Sequence, residues 1–237
     1  MLYHAYLEED VSGICAAHVP DLAGCLAAGA TREAALAALP DAVRAYLSWC
    51  GAHGDPLPDD GAVEVAVAEV ARGYRPWLRG GANALFSVDR APLGDAELRT
   101  YLRRMGYARF DLLALLRLVP PAALDTVPPD GGDTVRQIVT HIADTELWYA
   151  SRIGHRPTAP GDDIMHRLVD ERARVVEAIL RLAPRQRDLV YVPTEQRSED
   201  PEEAWTLRKV LRRLLEHELE HLRALQAHAA LAPSLSA

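Results

Sequence analysis

Two hydrophobic periods run through this chain, and the change from one to the other limits what it can fold into. Before Gly73 the pattern is that of strands around one helix. LYHAYLEE alternates, Gly13 opens ICAAHV, Pro20 to Gly24 reads as a turn, and CLAAGA is a short third run ahead of Thr31. VEVAVAEV alternates again and fits a strand with one polar face. Between them Arg32 to Trp49 places Leu36, Leu39, Val43, Tyr46 and Leu47 at helical spacing, with Thr31 as N-cap. Pro40 falls inside that run and is expected to kink or split it, because it lacks an N–H and crowds the preceding turn. The pattern predicts a small α+β domain of three or four strands and a helix over 1–72.

From Gly73 to Gly94 periodicity fades while Gly, Pro, Asn and Asp accumulate, so 73–94 is expected to be a linker. After Asp95 the period becomes 3.6. Helices are predicted over Ala96 to Leu118, stopped by Pro120-Pro121, and from an N-cap at Asp133 or Thr134 to Ile153, ahead of Gly154. Two more run from about Asp163 to Leu182 and from near Pro201-Glu202 to about His228. Four amphipathic helices joined by mostly short polar loops predict an all-α four-helix bundle over 95–237. Pro184 to Asp200 is the longest irregular stretch there and is a natural edge or lid for a site.

Composition removes several classes of function. With 49% hydrophobic and 25% charged residues in 237, the chain has the usage of a folded protein. No window approaches 18 uncharged apolar residues, and MLYHAYLEED lacks a basic stretch leading into an apolar core, so no membrane association and a cytoplasmic location are expected. Cys15, Cys25 and Cys50 form no CxxC, which argues against a disulfide framework or a thiolate zinc site. The net charge of −8 resides in residues 1–72, where Arg32, Arg44 and Arg72 face eleven acidic residues. Such a surface repels phosphate, so nucleic acid is not an expected partner. Lys209 is the single lysine among 26 basic residues, a bias that matches a high-GC genome.

The chemistry is expected at three histidines. His217 and His221 lie four apart, one above the other on a helix face. Leu207, Val210 and Leu214 precede them on the same stripe and Leu225 follows, so both imidazoles occupy positions where leucine would point inward. Burying adjacent imidazoles without partners is costly, and a shared metal resolves it. On the second bundle helix, His141 shares a side with Ile138, Thr145 and Trp148 and can supply a third ligand; the alternative for any one of them is a hydrogen-bonded core histidine. Three imidazoles leave positions open on a divalent metal, as in catalytic sites; zinc is the first choice, nickel next, iron or manganese behind. Asp144 is placed to orient a ligand or complete the shell. HELEH also matches the HExxH protease pattern with Glu218 as base, but Ala224 and Ala227 stand where its longer form needs Gly and His.

The order of these helices, with THIADTE (Thr140–Glu146) in the second and HxxxH (His217, His221) late in the fourth, resembles the DinB/YfiT-like superfamily over about Asp95 to His228. That resemblance implies a divalent metal on the three histidines. It also implies an activity of the kind its characterised members show, S-transfer or isomerisation with a low-molecular-weight thiol such as mycothiol or bacillithiol as co-substrate. A related domain holds iron on three histidines in sulfoxide synthases of ergothioneine biosynthesis. The N-terminal part resembles the HicB-like antitoxin fold through PDLAGC (Pro20–Cys25) and GATREAA (Gly29–Ala35), with Ala23 and Ala34 departing from its usual pattern. HicB antitoxins append a DNA-binding segment; here the bundle takes that place.

The expected reaction is metal-assisted transfer of a small thiol to an electrophilic small-molecule substrate, with metal-dependent hydrolysis as the alternative. A competing class is a non-catalytic module whose acidic part captures a basic protein, such as a small toxin resembling HicA. A homodimer through the bundle or a strand edge is compatible with either. Arg208, Arg212 and Arg213 read as a cationic patch or, more simply, as surface partners of Glu202, Glu203, Glu216 and Glu220. Tyr101, Trp148, Tyr149 and Trp205 read as core, Cys15 and Cys25 as small strand residues, and His4 and His18 are without assignment.

Overall fold

The computed structural model describes residues 1–56, 61–75, 82–128, 131–155, 163–193 and 203–230. The chain divides into two compact units, 1–95 with 184–212 and 96–183 with 213–237. The sequence pattern places everything from 95 onward in one bundle; in the structure 184–212 belongs with the N-terminal residues.

The N-terminal unit is built on a four-stranded sheet of β1 (Leu2–Glu9), β2 (Cys15–Val19), β3 (Cys25–Gly29) and β4 (Glu64–Arg72), in the order β3-β2-β1-β4. Hairpins make β1, β2 and β3 antiparallel, whereas β4 returns through helix α1 (Arg32–Ala52) and lies parallel to β1. Gly24, at φ +97°, closes the turn into β3 in a conformation open to glycine. A Cβ at Gly29 would meet the Ala35 nitrogen at 2.6 Å, so only glycine lets α1 start this close to β3. Thr31 caps the helix by accepting from the Ala34 N–H at 3.2 Å. Pro40, expected to kink or split α1, leaves it one continuous element. Its missing hydrogen bond costs about 3 kcal/mol, and the buried stripe of Ala35, Leu39, Val43, Tyr46 and Cys50 on both sides of it outweighs that.

The stretch expected as a linker is packed where it is described. Ala82, Asn83, Ala84, Phe86, Asp89 and Leu93 are buried, and Ser87–Arg90 forms a 3-10 turn. Pro184–Arg187 makes a single helical turn, α5, and Tyr191 pairs with Trp205 through two 2.8 Å backbone hydrogen bonds. Residues 194–200 of the expected edge or lid lie outside the described residues.

The second unit contains α2 (Asp95–Leu118), α3 (Val135–Ser151), α4 (Ile164–Arg181) and, from Arg213 on, α6 (Leu207–Ala230). The bundle elements arise where their capping residues put them. Thr134 and Gln137 form a capping box for α3, Asp163 accepts from the His166 N–H at 2.8 Å to start α4, and Gly154 at φ +81° follows α3. The last helix begins at Leu207, later than the start expected near Pro201-Glu202, because Trp205 is held in the bridge to Tyr191. Among the described residues no helix is long and apolar enough to cross a membrane.

The bundle interior is tied by charge as well as by leucine. Arg109 of α2 donates from Nε to Glu218 of α6 at 2.6 Å and from Nη2 to Glu146 of α3 at 2.7 Å. Arg172 of α4 donates to the remaining oxygens of the same two carboxylates, and through Nη1 to the Met105 carbonyl at 2.9 Å. One residue from each of the four helices thus closes a neutral ring. Burial alone disfavours both charged forms, but the partners outweigh it: Glu218 is held below the usual carboxylate value and Arg172 above the usual guanidinium value.

Two stability predictions follow. Arg172→Met leaves Glu146 and Glu218 each with one uncompensated oxygen and should cost about 3–5 kcal/mol in urea unfolding at pH 7; a loss under about 1 kcal/mol would show the ring to be dispensable. Glu171, buried on α4, has its carboxyl pushed above 4.5, first by burial, with Glu146 and Asp144 adding to it against Arg167. A raised folded-state value favours the protonated form, so stability falls as pH rises from 4.5 through that value. Glu171→Gln should therefore raise Tm at pH 7, with the gain vanishing below pH 4.5.

Candidate metal centre

His141 stands on α3 and His217 and His221 on α6, and the structure brings all three together. The Nε2 atoms of His141 and His217 are 3.1 Å apart, and so are those of His217 and His221. The rings meet edge to face, at 68°, 84° and 73°. One ligand atom from each lies within 4.8 Å of the others, and all three residues are half-buried. Among the described residues this is the only such group of three or more metal-ligating side chains.

Each imidazole presents Nε2, and three Nε2 atoms cannot satisfy one another through shared protons. Burial pushes the His217 imidazole well below 6.5, helped by His221, His141 and Arg213; burial also lowers His221, with Asp133 acting the other way. Lowering these two values favours rings whose Nε2 can serve as a metal ligand. Two nitrogens that each bind one zinc at ~2.0–2.1 Å stand ~3 Å or slightly more apart, so the observed spacing fits a divalent cation on these residues.

Thr145 completes the arrangement. Its Oγ1 lies 3.3 Å from His141 Nδ1; in the tautomer that frees Nε2 for a metal, the hydroxyl accepts from Nδ1–H. The signal for it was the i,i+4 spacing from His141 on the same side of the helix. Tyr149, one turn further, packs its buried ring edge-on to His217 with centroids 6.1 Å apart.

Other sequence expectations fall elsewhere. Asp144 is exposed and pairs with Arg167 at 2.6 Å, away from the histidines, because a three-residue step on α3 turns it toward α4. Glu218 is locked in the arginine ring, which removes it as a protease-type base. Arg208, Arg212 and Arg213 are buried rather than surface partners, and Arg213 pairs with the buried Glu216 at 3.0 Å. His4 meets Asp21 on the surface, and His18 is buried in the N-terminal unit beside Arg212 at 3.2 Å.

Comparison with known proteins places the chain in a family. The DinB superfamily model matches residues 105–225, just over half of the chain and all three histidines, and the chain belongs to that superfamily. The UPF0150 protein Ta0767 of Thermoplasma acidophilum is 34% identical over 67 residues, covering 28% of this chain and 97% of that protein. The N-terminal part is thus of the UPF0150, HicB-like family, and the chain is a fusion of the two. YfiT from Bacillus subtilis, described as "a probable metal-dependent hydrolase with an unusual four-helix bundle topology", is 18% identical with a TM-score of 0.47, over 64% of this chain and 94% of its own.

Thr145→Val removes the acceptor for His141 Nδ1–H and should weaken zinc binding ~10–100-fold in competition with a chromophoric chelator. Thr145→Ser should stay close to wild type. Equal losses in both variants would remove the hydroxyl from that role.

Proposed function

We propose that this protein is a metal-dependent enzyme that transfers a low-molecular-weight thiol to a small electrophile. The observation that carries the reading is the convergence of three Nε2 atoms, from His141, His217 and His221. A divalent ion on that donor set has positions open and lowers the pKa of a thiol or water brought to it. Zinc suits the set first and nickel next.

The chain's own residues favour the thiol. No cysteine lies beyond Cys50, so the bundle has no thiol nucleophile of its own. Three carboxylates close in sequence to these histidines are engaged, Glu218 by Arg109 and Arg172, Glu216 by Arg213 and Asp144 by Arg167. Hydrolysis of an amide or ester calls for a group to move the proton of water to the leaving group. A thiol, with an ordinary pKa near 8.5, needs only that value lowered. The step forms a carbon–sulfur bond, expels the leaving group of the electrophile and releases the thiol proton to solvent. Thr145 and Tyr149 hold His141 and His217 in place while it occurs.

Protein purified without a His tag should contain one divalent ion per chain, lost in a His141, His217 and His221 triple alanine variant. The metal-loaded protein should couple monochlorobimane to at least one of glutathione, cysteine, mycothiol or bacillithiol, and His217→Ala should abolish turnover. Protein inert with every thiol but active on an ester or amide would make it a hydrolase. Wild type that takes up no metal on reconstitution would make the three residues core histidines.

A further inference from the structure

The start of α6 carries three cations, Arg208, Lys209 and Arg212, and all are buried in the N-terminal unit. Arg212 donates from Nε and Nη2 to the two oxygens of Asp89, at 3.1 and 2.8 Å, while Nη1 lies 3.2 Å from His18 Nδ1 on β2. Lys209 donates to the carbonyls of Asn83 at 2.6 Å and Ala204 at 2.8 Å and sits 3.8 Å over the Trp205 ring. Arg208 donates to the carbonyl of Pro92 at 2.8 Å.

The surface that receives them is acidic and is built from one face of the sheet together with the 82–93 segment packed on it. Strand alternation puts Tyr6, Glu8 and His18 on one face, the face opposite α1. Phe86 stacks there between Tyr6 and His18, at 5.4 and 5.6 Å. Glu8 accepts from the Ala84 N–H and Glu203 from the Asn83 N–H, both at 2.7 Å. Three carboxylates, Glu8, Asp89 and Glu203, are thus buried with three cations from one helix. A fork-shaped, bidentate contact such as Arg212–Asp89 fixes orientation as well as charge.

We infer that this sheet face is a receptor for a basic helix, filled by the chain's own residues 207–212, and that it anchors the helix bearing His217 and His221. A basic protein in trans finds the face already taken. The anchoring acts along one continuous helix: amides 211–216 donate to carbonyls 207–212, and the His217 amide donates to Arg213 in the next turn. Helical hydrogen bonds form cooperatively, so releasing the first turns loosens the ligand-bearing turn after them. The inference shares the metal site with the proposed function but does not depend on the reaction.

Hydrogen exchange on the full-length, metal-free protein tests it. Asp89→Asn keeps the shape and removes the charge that holds Arg212. It should speed exchange about tenfold, not only in 82–93 and 207–212 but also through 213–222. Its zinc dissociation constant should rise by a similar factor, although no ligand is altered. Exchange that accelerates only in 82–93 and 207–212, or zinc affinity equal to wild type, would overturn the anchor. If Asp89→Asn fails to fold, Arg212→Lys, which keeps the charge and loses the fork, takes its place. Coupling is reciprocal, so zinc added to wild type should slow exchange in 82–93 and in β1 and β2; zinc that protects only 96–183 and 213–230 would speak against it. Wild type that binds no zinc would defeat the proposed metal site, while the metal-free comparison would still decide the anchor.

Discussion

The ring of Arg109, Glu146, Arg172 and Glu218 is the constraint on which the three-histidine cluster depends. It takes one side chain from each bundle helix, and every carboxylate oxygen in it receives a guanidinium N–H. Glu218 sits next to His217 and Glu146 next to Thr145. Successive helical residues point about 100° apart, so fixing Glu218 and Glu146 inward fixes where His217, His221, His141 and Thr145 point. A purely apolar core would allow α3 and α6 to rotate and slide over small energy steps. A bidentate ion-pair ring does not, because any slip leaves a buried charge without its partner.

Much of this was legible in the sequence because it is written locally. The strands announce themselves by alternation, and the bundle helices by their stripes and by Thr134, Asp163, Gly154 and Pro120. The clustering of the histidines is foreshadowed by phase: His217 and His221 continue the line of Leu207, Val210 and Leu214, and those three residues are buried. What the sequence did not disclose depends on partners far along the chain. Arg109 and Glu218 are 109 residues apart and Arg212 and Asp89 are 123 apart, and no local pattern marks them as pairs. Read locally, the charges of α6 belong on a solvated face. For the same reason 73–94 reads as a linker, since the packing of Asn83, Phe86 and Asp89 is against β1, β2 and α6 rather than against its own neighbours.

The arginine bias takes on a structural meaning. With 25 arginines implied by one lysine in 26 basic residues, composition alone points to genome content. Yet Arg109, Arg172 and Arg212 each make contacts that a lysine cannot: a planar fork spanning two carboxylates, or both oxygens of one. Lys209, the exception, meets two backbone carbonyls and an aromatic face, partners that suit a compact ammonium, and its burial lowers its pKa to about 7.

Helix α6 has different tasks along its length. Arg208, Lys209 and Arg212 pair within the N-terminal unit, Glu218 belongs to the arginine ring, and His217 and His221 to the histidine cluster. From Glu203 to Leu219 every residue except His217 is buried, although this segment holds four basic and three acidic residues. The one break in that buried run is His217, a member of the three-histidine cluster. Because Glu218 is fixed by Arg109 and Arg172, the adjacent His217 and, one turn on, His221 keep one direction on the helix.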